Sequence, residues 1–157
     1  MFLVDDTLDT RQDKIKKYIE SDIVVALLLA SADFEWTVRR AILALGSSPT
    51  KIIRKEVLIK CHGLDDYKSA WKKEIKQYLD KDKYRNLVEV VPDWNFFKTE
   101  AYPLRHKLIH GVIGATGNKY TLKRVESILN ASKHIAIYAS DQNEPIFGRK
   151  IVRIKRR

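Results

Sequence analysis

The segment Tyr102-Pro103-Leu104-Arg105-His106-Lys107-Leu108-Ile109-His110-Gly111 places one arginine and two histidines within two helical turns and closes on a glycine. Leu104, Leu108 and Ile109 recur at i, i+4 and i+5, an apolar stripe at helical spacing. Gly111 is placed as a C-cap, and Pro103 is tolerated only near a helix start or at a kink. The spacing therefore predicts a helix, interrupted or bent at Pro103, with His110 in its last turn. His106 and His110 are i and i+4 and share a face. Arg105 and His110 stand about 140° apart around the axis at 3.6 residues per turn. One such helix alone makes a poor enclosed site from these three groups, and a facing second copy makes a better one.

Upstream, residues 7–45 contain neither glycine nor proline. Asp5, Asp6 and Asp9 suit a helix N-terminus through capping and the macrodipole. Leu8, Ile15, Tyr18, Ile19 and the block from Ile23 to Ala30 supply a buried face, which Phe34, Val38, Ala41, Ile42 and Leu45 continue. This reads as one long helix, or two with a break near Ser21-Asp22. Gly46-Ser47-Ser48-Pro49 is a stop followed by a start, with serine as N-cap and proline at the first helical position. A helix is expected from Pro49 to about Lys60, with Ile52, Ile53 and Val57 on its apolar side. Another should run from Leu64 to about Lys83, with Tyr67, Trp71, Ile75, Tyr78 and Leu79 inward. Leu87-Val88-Glu89-Val90-Val91 reads as a short extended piece closed by Pro92. Asp93 is placed to cap the motif helix, and a last helix opens at 118–121 and reaches about Ala139. The fold class is all-α: an up-and-down bundle of four to five helices over residues 1–145. A basic tail follows, residues 146–157, as a short strand or a loose arm.

A chain of 157 residues is long enough for one real core. Its hydrophobic fraction of 45% and charged fraction of 32% exclude a disordered protein. Cys61 is the single cysteine, which rules out an intrachain disulfide and points to a reducing, cytoplasmic setting. Met1-Phe2-Leu3-Val4 runs straight into Asp5 and Asp6, so no targeting segment is expected. The longest apolar run, Ile23 to Ala30, is too short to span a bilayer, and no membrane partner is expected. The net charge is +10 and unevenly placed: residues 1–100 hold 18 Lys+Arg against 17 Asp+Glu, and residues 101–157 hold 12 against 3. The excess therefore lies with the motif, and nucleic acid is the leading polyanionic partner. Arg149, Lys150, Arg153, Lys155, Arg156 and Arg157, with no adjacent acid to pair with, are expected to hold it through counterion release.

Histidine gives or takes a proton near neutral pH, and the planar arginine fork fits phosphate. Cleavage of RNA through its own 2′-hydroxyl needs a base, a cation and an acid. Arg105-His106-x-x-x-His110 is an instance of R-x4-6-H with a polar residue after the arginine. It resembles the signature of HEPN domains, small all-helical proteins, many of them RNases of toxin–antitoxin, phage-defence and RNA-processing systems. The resemblance covers roughly residues 7 to 140 as a helix pattern, and Arg105, His106 and His110 as specific residues. Within the superfamily the chain is most similar to the small stand-alone proteins of the RiboL-PSP type. The resemblance implies a metal-independent endoribonuclease that needs no cofactor and leaves a 2′,3′-cyclic phosphate and a 5′-hydroxyl. It implies a homodimer through the motif helix, with an antitoxin protein as a further partner. It makes His110 the proton-transfer residue and Arg105 the phosphate clamp. His106 occupies the polar position, where it either helps catalysis or only bonds to backbone.

Glu35 and Arg39 are i and i+4 in the first long helix, a favourable pair. Either they support the motif histidine from a neighbouring helix or they form a surface ion pair. No metal set is expected. The metalloprotease pattern needs Glu after the first histidine, where Lys107 stands, and Cys61-His62 are adjacent and isolated in sequence. His134 reads as structural. Two other classes stay open beside the RNase: a catalytically silent HEPN-like module that binds nucleic acid or nucleotide, and a helical interaction protein with a basic surface.

Overall fold

Asp22 sets where the longest buried helix begins. Its side chain accepts the Val25 N–H at 3.2 Å, an N-cap that ends the preceding turn and starts the next helix. The computed structural model describes residues 2–113, 116–151 and 153. Before the cap lie α1 (Leu8–Lys16), N-capped by Thr7, and the single turn α2 (Tyr18–Ser21). After it, α3 (Ile23–Leu45) runs through the middle of the molecule. Ala26, Leu27, Ala30, Phe34, Val38, Ala41, Ile42 and Leu45 of α3 are all fully enclosed. The buried hydroxyls of Ser31 and Thr37 bond back to Leu27 O and Asp33 O, so they need no outside partner.

Gly46 ends α3 for a steric reason. A Cβ there would stand 2.5 Å from both Ile42 O and Ile53 Cδ1, so only glycine lets the next helix approach so closely. That helix begins as α4 (Thr50–Ile52) and continues through a π-helical segment, Ile53–Val57, and a 3₁₀ turn, Leu58–Lys60. The turn before it is braced by the buried Glu74, which accepts from Ser48 N at 2.9 Å and Ser48 Oγ at 3.0 Å. Glu74 belongs to α5 (Leu64–Ile75). This helix stops eight residues short of Lys83, so Tyr78 is 41% exposed rather than inward. Tyr18 (42%) and Ile52 (38%), also expected inward, are likewise exposed.

The run Leu87–Val90, expected to be extended, is a helical turn, α6. Asn86 and Glu89 form a capping box, with Asn86 N–H donating to Glu89 Oε2 at 2.6 Å, and this overrides the β-branched side chains. The motif helix starts as α7 (Trp94–Phe96), widens into a π segment, Phe97–Ala101, and continues as α8 (Tyr102–Ile109). The Tyr102 N–H reaches back to Phe97 O. That five-residue step lets Pro103, which has no N–H, enter without breaking the helix. The last helix, α9 (Asn118–Asp141), lies along α3 and forms the largest helix–helix interface. Its buried Arg124 donates to Glu100 Oε2 at 2.7 Å and so pins the π segment ahead of the motif.

The result is an all-α helical bundle, with its shorter helices broken into more pieces than the periodicity alone suggests. No strand occurs among the described residues. No described helix is long and apolar enough to cross a membrane. The packed core extends past residue 145: Ile146 is 1% exposed, and Phe147 and Ile151 pack against the core cluster. Gly148 N–H donates to Asp6 O at 3.0 Å, which ties the tail to the N-terminal segment.

Candidate active site

α8 ends where the sequence places its stop. Gly111 has φ +65°, Val112 N–H donates to Lys107 O at 2.9 Å and Gly111 N–H to Leu108 O at 3.3 Å. This is a Schellman closure, which favours glycine because L side chains avoid that φ. His110 is therefore the C-cap residue, exposed at the helix end. His106 lies one turn earlier on the same face, and the two imidazole centroids are 4.2 Å apart.

Arg105 is fixed from outside its own helix. Its Nη1 lies 2.9 Å from Glu35 Oε1 on α3, and the Tyr102 hydroxyl donates to the same oxygen at 3.0 Å. Both carboxylate and guanidinium remain partly exposed, so the pair adds little stability and serves chiefly to orient. Burial, then the negative charge of Glu35, pushes the Tyr102 phenol well above its ordinary range, so it stays a proton donor.

The expected Glu35–Arg39 pair does not form, because each finds a better partner on another element. Arg39 donates to Tyr67 Oη at 2.8 Å, to Leu58 O at 3.1 Å and to Cys61 O at 3.0 Å. It thereby clamps the connection between α4 and α5. Burial raises the Cys61 thiol and the Tyr67 phenol, which keeps both neutral. These groups surround one open cavity of about 360 Å³. Glu35 and Arg39 come from α3. Cys61 and His62 come from the turn, Tyr67 from α5, and Tyr102, Arg105, His106, Ile109 and His110 from α8.

The structure thus brings Arg105, His106, His110, Glu35 and Arg39 to one place. It adds three residues that sequence reasoning did not single out as functional. Tyr102 lies one turn before Arg105, and that spacing was a readable signal. Tyr67 and His62 were not readable: the histidine, isolated in sequence, reaches the cavity only through the packing of α4 and α5 on α3. His134 lies apart, its Nδ1 2.9 Å from Asn130 O on α9. Among the described residues, no group of three or more His, Cys, Asp or Glu is placed to hold a metal ion.

The basic tail is partly engaged with the fold. Arg149 donates to Pro145 O at 3.1 Å and pairs with Glu144 at 3.6 Å, so an acid does stand beside it. Arg153 donates to Gly46 O and Ser48 O, at the junction of α3 and α4. Arg40 of α3 reaches the tail backbone, donating to Ile146 O at 2.6 Å and Arg149 O at 2.7 Å. Lys150 is exposed, and Lys155, Arg156 and Arg157 lie outside the described residues. Burial and the neighbouring charges of Arg11, Arg54 and Arg149 lower Arg40 to about 10. Comparison of the chain with protein-family models, with curated proteins and with solved structures finds no match.

Proposed function

We propose that this chain is a metal-independent endoribonuclease of the HEPN type. The observation that carries the reading is the arrangement at the cavity mouth. A guanidinium is held by a carboxylate from another helix, beside two imidazoles 4.2 Å apart on the motif helix. An arginine so oriented meets the equatorial oxygens of a phosphate, where charge develops in the transition state. The two exposed imidazoles are placed to act as proton donor and acceptor beside it. His110 transfers the proton, Arg105 clamps the phosphate and His106 assists from the adjoining turn. The products are a 2′,3′-cyclic phosphate and a 5′-hydroxyl.

The basic C-terminal third supports RNA as the substrate, through Lys150 and the charges that follow it. Ile109 and Val112, 55% and 70% exposed at the end of the motif helix, support a homodimer through that helix. A toxin or phage-defence effector, restrained by an antitoxin protein in the cytoplasm, is the biological role that fits. The test is cleavage of RNA in excess EDTA by wild type, His110→Ala and Arg105→Ala. Each substitution should lower the rate by about 10²–10⁴-fold. RNA binding without cleavage by the wild type would instead favour a silent binding module. Neither binding nor cleavage would favour an interaction protein.

A further inference from the structure

His106 and His110 stand on the same side of the cavity, and this leaves the reaction one group short. Transesterification by the 2′-hydroxyl is an in-line displacement, with the attacking and leaving oxygens on opposite sides of phosphorus. A base and an acid must therefore reach the phosphate from two directions. Two imidazoles 4.2 Å apart on one helix face approach it from one. The same cavity is also lined by Cys61, His62 and Tyr67, which come from the turn and α5 and not from α8. Three of the four histidines in the chain line this one cavity, and the third is His62.

The turn that carries His62 is held firmly. Arg39 donates to Leu58 O and Cys61 O immediately before it, and to Tyr67 Oη just after. The His62 N–H itself donates to Asp66 Oδ2 at 2.9 Å. Arg39 and Asp66 thus fix the main chain that carries the imidazole, which is exposed and lines the cavity.

We infer that His62 is the second proton-transfer residue, acting across the scissile phosphate from the His106–His110 pair. The inference rests on the ribonuclease reading above. One imidazole accepts the 2′-hydroxyl proton as the 2′-oxygen–phosphorus bond forms. The phosphorus–5′-oxygen bond breaks, and the imidazolium opposite gives its proton to the 5′-oxygen. Arg105 meets the charge on the non-bridging oxygens. No co-reactant is consumed.

The test uses the full chain in EDTA with two oligonucleotides carrying a single ribonucleotide. One has the natural 5′-oxygen at the scissile position. The other has sulfur there, a leaving group that needs no acid. Wild type is compared with His62→Ala, His62→Gln, His110→Ala and the outlying His134→Ala. On the oxygen substrate, both His62 variants should lose about 10²–10⁴-fold in rate, with RNA affinity and melting temperature unchanged. His134→Ala should match wild type. The sulfur substrate should restore either His62→Ala or His110→Ala and not the other, and each variant should lose one limb of the pH–rate profile. Wild-type rates in His62→Ala, rescue by glutamine at position 62, or restoration of neither variant by sulfur would overturn the role of His62. The ribonuclease reading would survive these three results. Failure of the wild type to cleave either substrate would overturn both.

Discussion

α3 presents two neighbouring polar faces with different fates. Glu35 and Arg39 look into the cavity, where their partners are Arg105, Tyr102, Tyr67 and two main-chain carbonyls. Asp33, Trp36 and Arg40, offset by about 100° per residue step on the helix, look toward the two chain termini. There Arg11 is fully buried, its Nε 2.7 Å from Asp33 Oδ1, with its guanidinium over Trp36 at 3.9 Å and Phe2 at 4.1 Å. Phe147 stacks on Trp36 at 6.1 Å, and its ring lies 5.1 Å from the same Arg11 guanidinium. Burial raises Asp33 and lowers Arg11, so each of these charges depends on the other to stay ionised. The cavity face keeps its charges near water and ready for a ligand. The terminal face encloses its charges and turns them into tertiary structure. Similar residue types one or two positions apart thus divide into a site and a clasp, according to what packs over them.

The largest effect is expected at Asp33. Asp33→Ala leaves Arg11 enclosed without its carboxylate and should destabilise by about 3–5 kcal/mol, lowering Tm by roughly 6–20 °C at this chain size. Replacing both partners by apolar residues, Arg11→Met with Asp33→Leu, should recover most of that loss. A thermal melt in which Asp33→Ala resembles wild type would show that the clasp does not hold the fold.

Truncation after Gly148 comes next. It removes the Arg149 carbonyl from Arg40 and the Arg153 side chain from Gly46 and Ser48, while Ile146 and Phe147 remain. A loss of about 1–3 kcal/mol is expected, together with weaker RNA binding and a shallower salt dependence. A lower Tm with an unchanged salt slope would assign the tail to the fold alone.

Glu35→Gln should invert the pattern. Its ion pair is partly exposed, so stability should change by about 1 kcal/mol or less, while RNA cleavage falls at least about tenfold as Arg105 loses its orienting charge. A Tm drop as large as that of Asp33→Ala would erase the distinction between the two faces.

The smallest effect belongs to Asp6. Its carboxylate accepts from Leu3 N and from Lys14 Nζ, both at 2.7 Å, and these contacts hold it below its usual range. A folded-state value below the unfolded one stabilises at pH above the ordinary aspartate range, and the gain is lost as pH falls through the folded value. Asp6→Asn should therefore lower Tm slightly at pH 7, and the difference from wild type should vanish in acid. A difference that persists unchanged at low pH would mean that the charge of Asp6 is not the cause.

The sequence alone determined what is local. Helix ends depend on residues within one turn, so Asp22 and Gly111 act as the break and the stop that their types suggest. The placement of Arg105, His106 and His110 on one short helix was equally legible, because 3.6 residues per turn fixes relative direction. Where two local signals competed, the choice was harder: the β-branched residues at 87–91 suggested extension, yet the Asn86–Glu89 capping box made a helical turn. Only the tertiary structure decided the partners. A surface charge pairs with whatever lies within reach, and reach across the bundle is set by how α3, α8 and the α4–α5 turn pack. Glu35 therefore bonds Arg105, 70 residues away, rather than Arg39 four residues on. His62 joins the motif histidines for the same reason: the apolar faces of separate helices, buried together, carry their polar edges to a common cavity.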